Sequence, residues 1–218
     1  MMNEPLIPPR FLFRLSANCR YRQPPWPLEK APLDESFKLP DFELLDGGRA
    51  MADVRAAWSE AGLALSVRVS GKRVPVRCDE GRYLQSDAVH FWIDTRHTYD
   101  VHRASRFCHR FYALPTGGGR RRDEPVVEQL MINRAREDAR RVRPGELKAR
   151  SERRVDGYLV EVFFPATALG GFDPAEHPRL GFTFAVFDHE LGTQTFASGG
   201  QLPYDDDPST WGTLELVR

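Results

Sequence analysis

The feature that most limits what this chain can become is an alternation of apolar and polar residues with a period of two. In GLALSVRVSGK (62–72), Leu63, Leu65, Val67 and Val69 alternate with Ala64, Ser66 and Arg68. Successive side chains of a strand point to opposite faces, so the pattern predicts a half-buried β-strand. AVHFWID (88–94) repeats it, with Val89, Phe91 and Ile93 on one side and His90, Trp92 and Asp94 on the other. RFCHRFYAL (106–114) is a third strand, ended by PTGGG. RSERRVDGYLVEVFF (150–164) reads as a hairpin about Asp156-Gly157, a favoured two-residue turn. LGFTFAVFDHE (180–190), QTFAS (194–198) and WGTLELV (211–217) complete the set, with FLFRL (11–15) and FKLPDF (37–42) as shorter edge or capping strands.

Helical periodicity is thin. EQLMINRAREDARR (128–141) fits either a charged helix or a strand running into a solvated loop, and PATALGG (165–171) fits one short helical turn closing on glycine. Strands at sandwich-like spacing with few short helices predict an all-β fold. The expected form is an antiparallel β-sandwich with an immunoglobulin- or jelly-roll-like two-sheet architecture. No linker separates two units, so residues 1–218 are expected to form a single domain, with a proline-rich extension over 1–34 packing on it.

Composition narrows the function classes. The 31 basic and 31 acidic residues balance, which argues against bulk attraction to nucleic acid or an anionic membrane. The basic stretch 134–154 lacks the interleaved aromatics of a nucleic-acid surface and reads as a solvated or partner-binding face. No run approaches the apolar length of a membrane span, and the N-terminus has no signal-peptide core, which leads to the expectation of a cytoplasmic protein. Cys19, Cys78 and Cys108 are too few and too scattered for a disulfide framework and are expected to be reduced thiols.

The chemistry-bearing residues concentrate in DAVHFWIDTRHTYDVHRASRFCHRFY (87–112), which holds four of the six histidines. On its first strand a Trp beside ionisable groups suits sugar recognition, the ring stacking on a pyranose while imidazole and carboxylate bond its hydroxyls. The loop that follows is poor in hydrophobes and rich in donors, and Arg96, Arg103, Arg106 and Arg110 add charge that could clamp a carboxylate or phosphate. Candidate ligand-binding residues are therefore His90, Trp92, Asp94, Arg96, His102, Arg106 and His109, joined by Asp188 and His189 where a strongly apolar strand ends in Asp-His-Glu.

Alternatives stand beside this reading. The histidine spacings contain no compact ligand pair, yet a hairpin could bring His90 or Asp94 opposite His109 with His102 arching in, as a zinc site would need. Asp205-Asp206-Asp207 could offer oxygens to calcium. A metal-dependent enzyme or metal-binding protein would draw on Asp94, His109, Asp188 and His189. The chain has no GxSxG, HExxH or Walker-type string, however. Trp58 and Trp211 read as core, and Trp26 as either a cover for the sandwich or an exposed platform.

The order of these stretches carries a further signal. VRAAWSEAGLALSVRVSGK, SDAVHFWIDTR, VDGYLVEVFFPATALGG, RLGFTFAVFDHE and DPSTWGTLELV follow one another as they do in family 9 carbohydrate-binding modules and their DOMON-like relatives. The chain resembles that family over about residues 35–218, most specifically at Phe184–Asp188 and at Trp211-Gly212-Thr213-Leu214. The resemblance implies a noncatalytic β-sandwich that grips a glycan end between aromatic rings, the ligand being a saccharide or similar polyol. Some relatives bind calcium structurally and others carry haem.

Overall fold

The computed structural model describes residues 9–218. Eleven strands run in chain order: β1 (Ser16–Tyr21), β2 (Ala52–Ser59), β3 (Gly62–Ser70), β4 (Ala88–Asp94), β5 (Cys108–Gly118), β6 (Glu124–Leu130), β7 (Lys148–Arg154), β8 (Gly157–Pro165), β9 (Arg179–Asp188), β10 (Gly192–Thr195) and β11 (Gly212–Val217). Helical content is confined to short 3-10 turns. No helix among the described residues is long and apolar enough to cross a membrane.

The all-β expectation holds, while the sheet differs from two separate layers. Hydrogen bonding is continuous through the order β6-β5-β4-β9-β11-β1-β2-β3-β8-β7, with β10 pairing β9. The link is β1, which pairs in parallel with both β11 and β2; the other strand pairs are antiparallel. The sheet wraps around one apolar core, and its end strands β6 and β7 lie against each other without pairing. Exposed charge along β7 (Lys148, Arg153, Arg154) discourages another chain from adding to that edge.

Alternation sets what enters the core. Val89, Phe91 and Ile93 of β4, Phe111 and Ala113 of β5, and Phe182, Phe184 and Val186 of β9 face Leu63, Leu65 and Val67 of β3 and Val160, Val162 and Phe164 of β8. At the centre Phe164 stacks on Phe111 at 4.4 Å between ring centroids and meets Phe91 edge-on at 5.6 Å. Each such ring adds on the order of 2 kcal/mol by burial alone.

Close backbone approach fixes both ends of the β3–β8 pair. A Cβ at Gly62 would stand 2.2 Å from the Phe164 carbonyl oxygen, and one at Gly157 would stand 2.1 Å from that of Val69. Neither position accepts a side chain without the strands moving apart. The β7–β8 register pairs Arg154 with Gly157, so the two-residue loop is Val155-Asp156, one position earlier than Asp156-Gly157.

Other sequence expectations shift. FLFRL is a 3-10 turn and its continuation, and the strand begins at Ser16. FKLPDF contributes one isolated bridge, Lys38 to Arg55, between turns. Of the two readings of 128–141 the strand is the one formed, ending at Leu130 and running into a loop. PATALGG makes turns instead of a helix. Residues 1–8 of the N-terminal extension lie outside the described residues. Further along it, Leu28 and Leu33 pack on Ala57 and Ala64, with Trp26 stacked on Phe163 as a cover. Arg10 is buried and anchors that end to Asp46, Glu43 and the Thr195 carbonyl.

Candidate functional site

The residues of β4 that point away from the core meet those of its neighbours in two rows. One is Thr183–Trp92–Arg110–Leu130 and the next is Ala185–His90–Tyr112–Glu128, running across β9, β4, β5 and β6. His90 forms the floor. Its ring lies 5.7 Å from Trp92, 6.0 Å from Tyr112, 6.2 Å from Tyr83 and 5.2 Å from Phe187. Tyr83, on the turn before β4, stacks on Tyr112 at 4.7 Å, and the Tyr112 hydroxyl donates to Glu128 at 2.9 Å. The Arg110 guanidinium sits 4.9 Å from the centre of the Trp92 ring.

The polar atoms of this face are under-used. His90 Nδ1, Arg110 Nε and Thr183 Oγ1 are all buried without a hydrogen-bond partner among the described residues. Buried polar groups are ordinarily paired, so three orphans on adjacent positions of one face stand out. Burial, reinforced by the charge of Arg110, pulls the His90 pKa down to about 3, so the imidazole is neutral and can either donate or accept. Burial also lowers Arg110, offset in part by the charges of Asp205 and Asp206.

Trp92 is not an exposed platform. Its side chain is 0% exposed, because Tyr204 closes over it edge-on at 5.3 Å and the Asp205 carbonyl accepts its indole N–H at 3.2 Å. It supports Arg110 from beneath. The rings that reach the surface here are Tyr83 and Phe187, both half-buried.

The other expected site residues are dispersed. His109 pairs with Ile93 and so shares the core side of the sheet, opposite to His90. It stacks parallel to Phe111, its Nε2 lies 3.3 Å from the Gly170 carbonyl, and burial lowers its pKa to about 4. Asp94 serves the loop after β4, its oxygens accepting from the Arg96 N–H at 2.9 Å and the Thr98 N–H at 2.6 Å. Arg96 and Arg106 both lie over the Phe107 ring. His102 is 78% exposed, with Nδ1 3.0 Å from Asp207. Asp207 caps the turn before β11 and Asp206 accepts from the Asn133 amide at 3.3 Å, and Asp205–Asp207 form no converging ligand group among the described residues.

Asp188 and His189 belong to a separate cluster at the far end of β9. Gly181 is opposite Asp94, and Asp188 is seven residues on, so a strand's rise separates the two carboxylates by roughly 23 Å. A single centre built from Asp94, His109, Asp188 and His189 does not form. Asp87, Asp188 and His189 do offer ligand atoms within 4.8 Å of one another, the one such group among the described residues. Lys72 fills it: its Nζ is 2.7 Å from both oxygens of Asp188 and 3.3 Å from Asp87. The ammonium supplies the positive charge that calcium or zinc would bring, and the donor set does not fit a resident metal. Burial acts to lower Lys72, but bonding to Asp188 and the charges of both aspartates outweigh it and the net shift is upward. Burial likewise opposes ionisation of Asp87, yet hydrogen bonds from the His189 and Arg77 N–H groups and the Lys72 charge hold it below the usual range.

A groove of about 450 Å³ runs along the outside of β1 and β11, with Phe13, Arg14, Tyr99, Arg179 and Thr210 among its walls. Tyr99 is half exposed and Arg14 lies 4.6 Å from its ring centre.

Comparison with known proteins places the fold. No curated protein sequence matches this chain. Among solved structures, a family 9 carbohydrate-binding module from Caldicellulosiruptor kristjanssonii in complex with glucose is similar at a TM-score of 0.61 and 14% identity, covering 93% of this chain and 95% of that one. The same organism's module in complex with cellotriose gives 0.60 and 13%, covering 93% and 94%. A putative carbohydrate-binding protein from Bacteroides uniformis ATCC 8492 gives 0.57 and 14%, covering 92% and 98%. The model of the carbohydrate family 9 binding domain-like family matches residues 29–218, nearly the whole chain, and the chain belongs to that family.

Proposed function

We propose that this chain is a noncatalytic saccharide-binding domain whose ligand sits on the outer face of β9, β4, β5 and β6, over His90 and between Tyr83 and Arg110. The observation that carries the reading is the set of unpartnered polar atoms, His90 Nδ1, Arg110 Nε and Thr183 Oγ1, within a frame of aromatic rings. A sugar matches both halves of that surface. Its C–H face lies on a ring, and its hydroxyls both donate and accept, which suits a neutral imidazole and a guanidinium. Family membership supports the reading, as do the glucose and cellotriose held by the similar modules. We also take the wrapped sheet as a sandwich whose two layers join through β1.

Isothermal titration against a panel of mono- and oligosaccharides tests this. The wild type is expected to bind at least one of them, and Tyr83→Ala and Arg110→Ala each to abolish the signal while retaining the wild-type circular dichroism spectrum. The groove beside β1 is the second reading, favoured by the exposed Tyr99 ring and the arginines near it. Loss of binding in Tyr99→Ala, with Tyr83→Ala unaffected, would move the ligand there.

A further inference from the structure

The site has an imbalance of charge. Three other arginines drawn into the structure meet carboxylates: Arg10 meets Glu43 at 3.2 Å, Arg55 meets Asp53 at 2.6 Å, and Arg150 meets Glu161 at 2.5 Å, whereas the half-buried Arg22 is held by the Ala31 carbonyl and Arg96 lies on the Phe107 ring. Arg110 is also half-buried, yet it forms neither an ion pair nor a hydrogen bond with any described residue. Its guanidinium rests on Trp92 with its N–H groups uncommitted. Glu128, the carboxylate in the neighbouring row, accepts from the Tyr112 hydroxyl at 2.9 Å and makes no ion pair with it. Asp205 and Asp206 act on Arg110 through their field and are not in contact with it. The residues that flank Trp92 on the outer face of β4 are His90 and Asp94, and the Asp94 carboxylate is committed to the Arg96 and Thr98 N–H groups.

A partly desolvated cation with no anion of its own is a recognition element for an anion from outside. The guanidinium is planar and presents paired donors, which matches a carboxylate better than it matches a single hydroxyl. We propose that the ligand is a carboxylated saccharide, a terminal uronic acid whose carboxylate pairs with Arg110 while its ring lies over His90 beside Tyr83. This rests on the saccharide reading above and names the sugar class within it. The charge of the complex is then balanced within the site.

Titration calorimetry with the unmodified chain reads this directly. The ligands are glucuronate- and galacturonate-terminated disaccharides, their neutral counterparts cellobiose and lactose, and glucose 6-sulfate. The acidic disaccharides are expected to bind at least about tenfold more tightly than the neutral ones, the margin that one charge-assisted hydrogen bond adds. That margin should shrink as salt is raised, and in Arg110→Gln it should vanish with the thermal melt unchanged. Equal or tighter binding of neutral sugars overturns the carboxylate assignment and leaves saccharide binding standing. Binding of the sulfated sugar in preference to both uronates overturns it as well. No binding of any sugar defeats the saccharide reading itself.

Discussion

Replacing Lys72 with methionine removes one charge and almost no volume, and it isolates what an internal ammonium does in this fold. The lysine side chain is 2% exposed and those of Asp87 and Asp188 are 0% exposed, so water screens none of the three. Without the ammonium two carboxylates remain side by side, each still gripped by backbone N–H groups: Asp87 from Arg77 and His189, Asp188 from Glu190 and Leu191. Removing one partner of a buried pair in this way costs about 3–5 kcal/mol. For a chain of this size each kcal/mol moves Tm by about 2–4 °C, so a drop of roughly 6–20 °C is expected.

The effect has a signature in pH. Asp87 is held below its ordinary range in the folded protein, so its contribution is present above the unfolded pKa and is lost as pH falls through the folded one. In Lys72→Met the share of that contribution due to the ammonium is absent from the start, and the hydrogen bonds from Arg77 and His189 remain. The gap between variant and wild type, measured by urea unfolding, is therefore expected to be full from pH 7.5 down to about pH 5 and to narrow as pH falls through the ordinary value of 3.8 toward pH 2. Adding Asp188→Asn should recover most of the loss, since one carboxylate alone has no like charge beside it. A variant within about 1 kcal/mol of wild type at pH 7.5, or a loss of the same size at pH 7.5 and pH 2, would refute the reasoning.

Trp92→Ala should lower stability by about 3–5 kcal/mol in denaturant unfolding, because the ring is fully enclosed and Arg110 and Tyr204 both rest on it. His109→Phe should make the protein more resistant to acid. Burial lowers the native pKa of His109 from 6.5 to about 4, so its neutral form contributes stability above pH 6.5 that is lost as pH falls toward 4, about 3 kcal/mol in all. Thermal melts of the two proteins between pH 7 and pH 4 should diverge, with wild type falling faster.

How much of this was legible in the chain depends on which physical signal each residue carries. β3, β4, β8, β9 and β11 follow from alternation, because their core faces hold large apolar residues opposite polar ones. β1 was misplaced: its inward residues are Ala17 and Cys19, too small to stand out beside the bulkier FLFRL just before it. The face of β5 was also undetermined by pattern. Phe107, His109, Phe111 and Ala113 share one parity, and Cys108, Arg110, Tyr112 and Leu114 the other, so both faces read as apolar and only the pairing with β4 chooses. That is why His109 seemed to accompany His90. The aromatic and imidazole content of the β4 face was readable, whereas the closure of Tyr204 over Trp92 depends on a contact more than a hundred residues away. Lys72 carried no local signal at all. In sequence it is an ordinary turn lysine, and its role exists only where β9 ends.

The parallel strand β1 imposes an order on how the chain can be built. It is the first of the described strands in chain order, and its backbone partners are β2 and β11, the last of them. Residues 16–20 pair with 213–217, almost the full length of the chain apart, so the join between the two halves of the sheet is among the longest loops the chain must close. During synthesis the β2–β3 and β4–β5 hairpins can form as they emerge. The β11 side of β1, however, stays an open template until residue 217 is available. A chain halted short of β11 would therefore present an unpaired edge in the middle of its sheet, where Arg20 is the one charged side chain along β1.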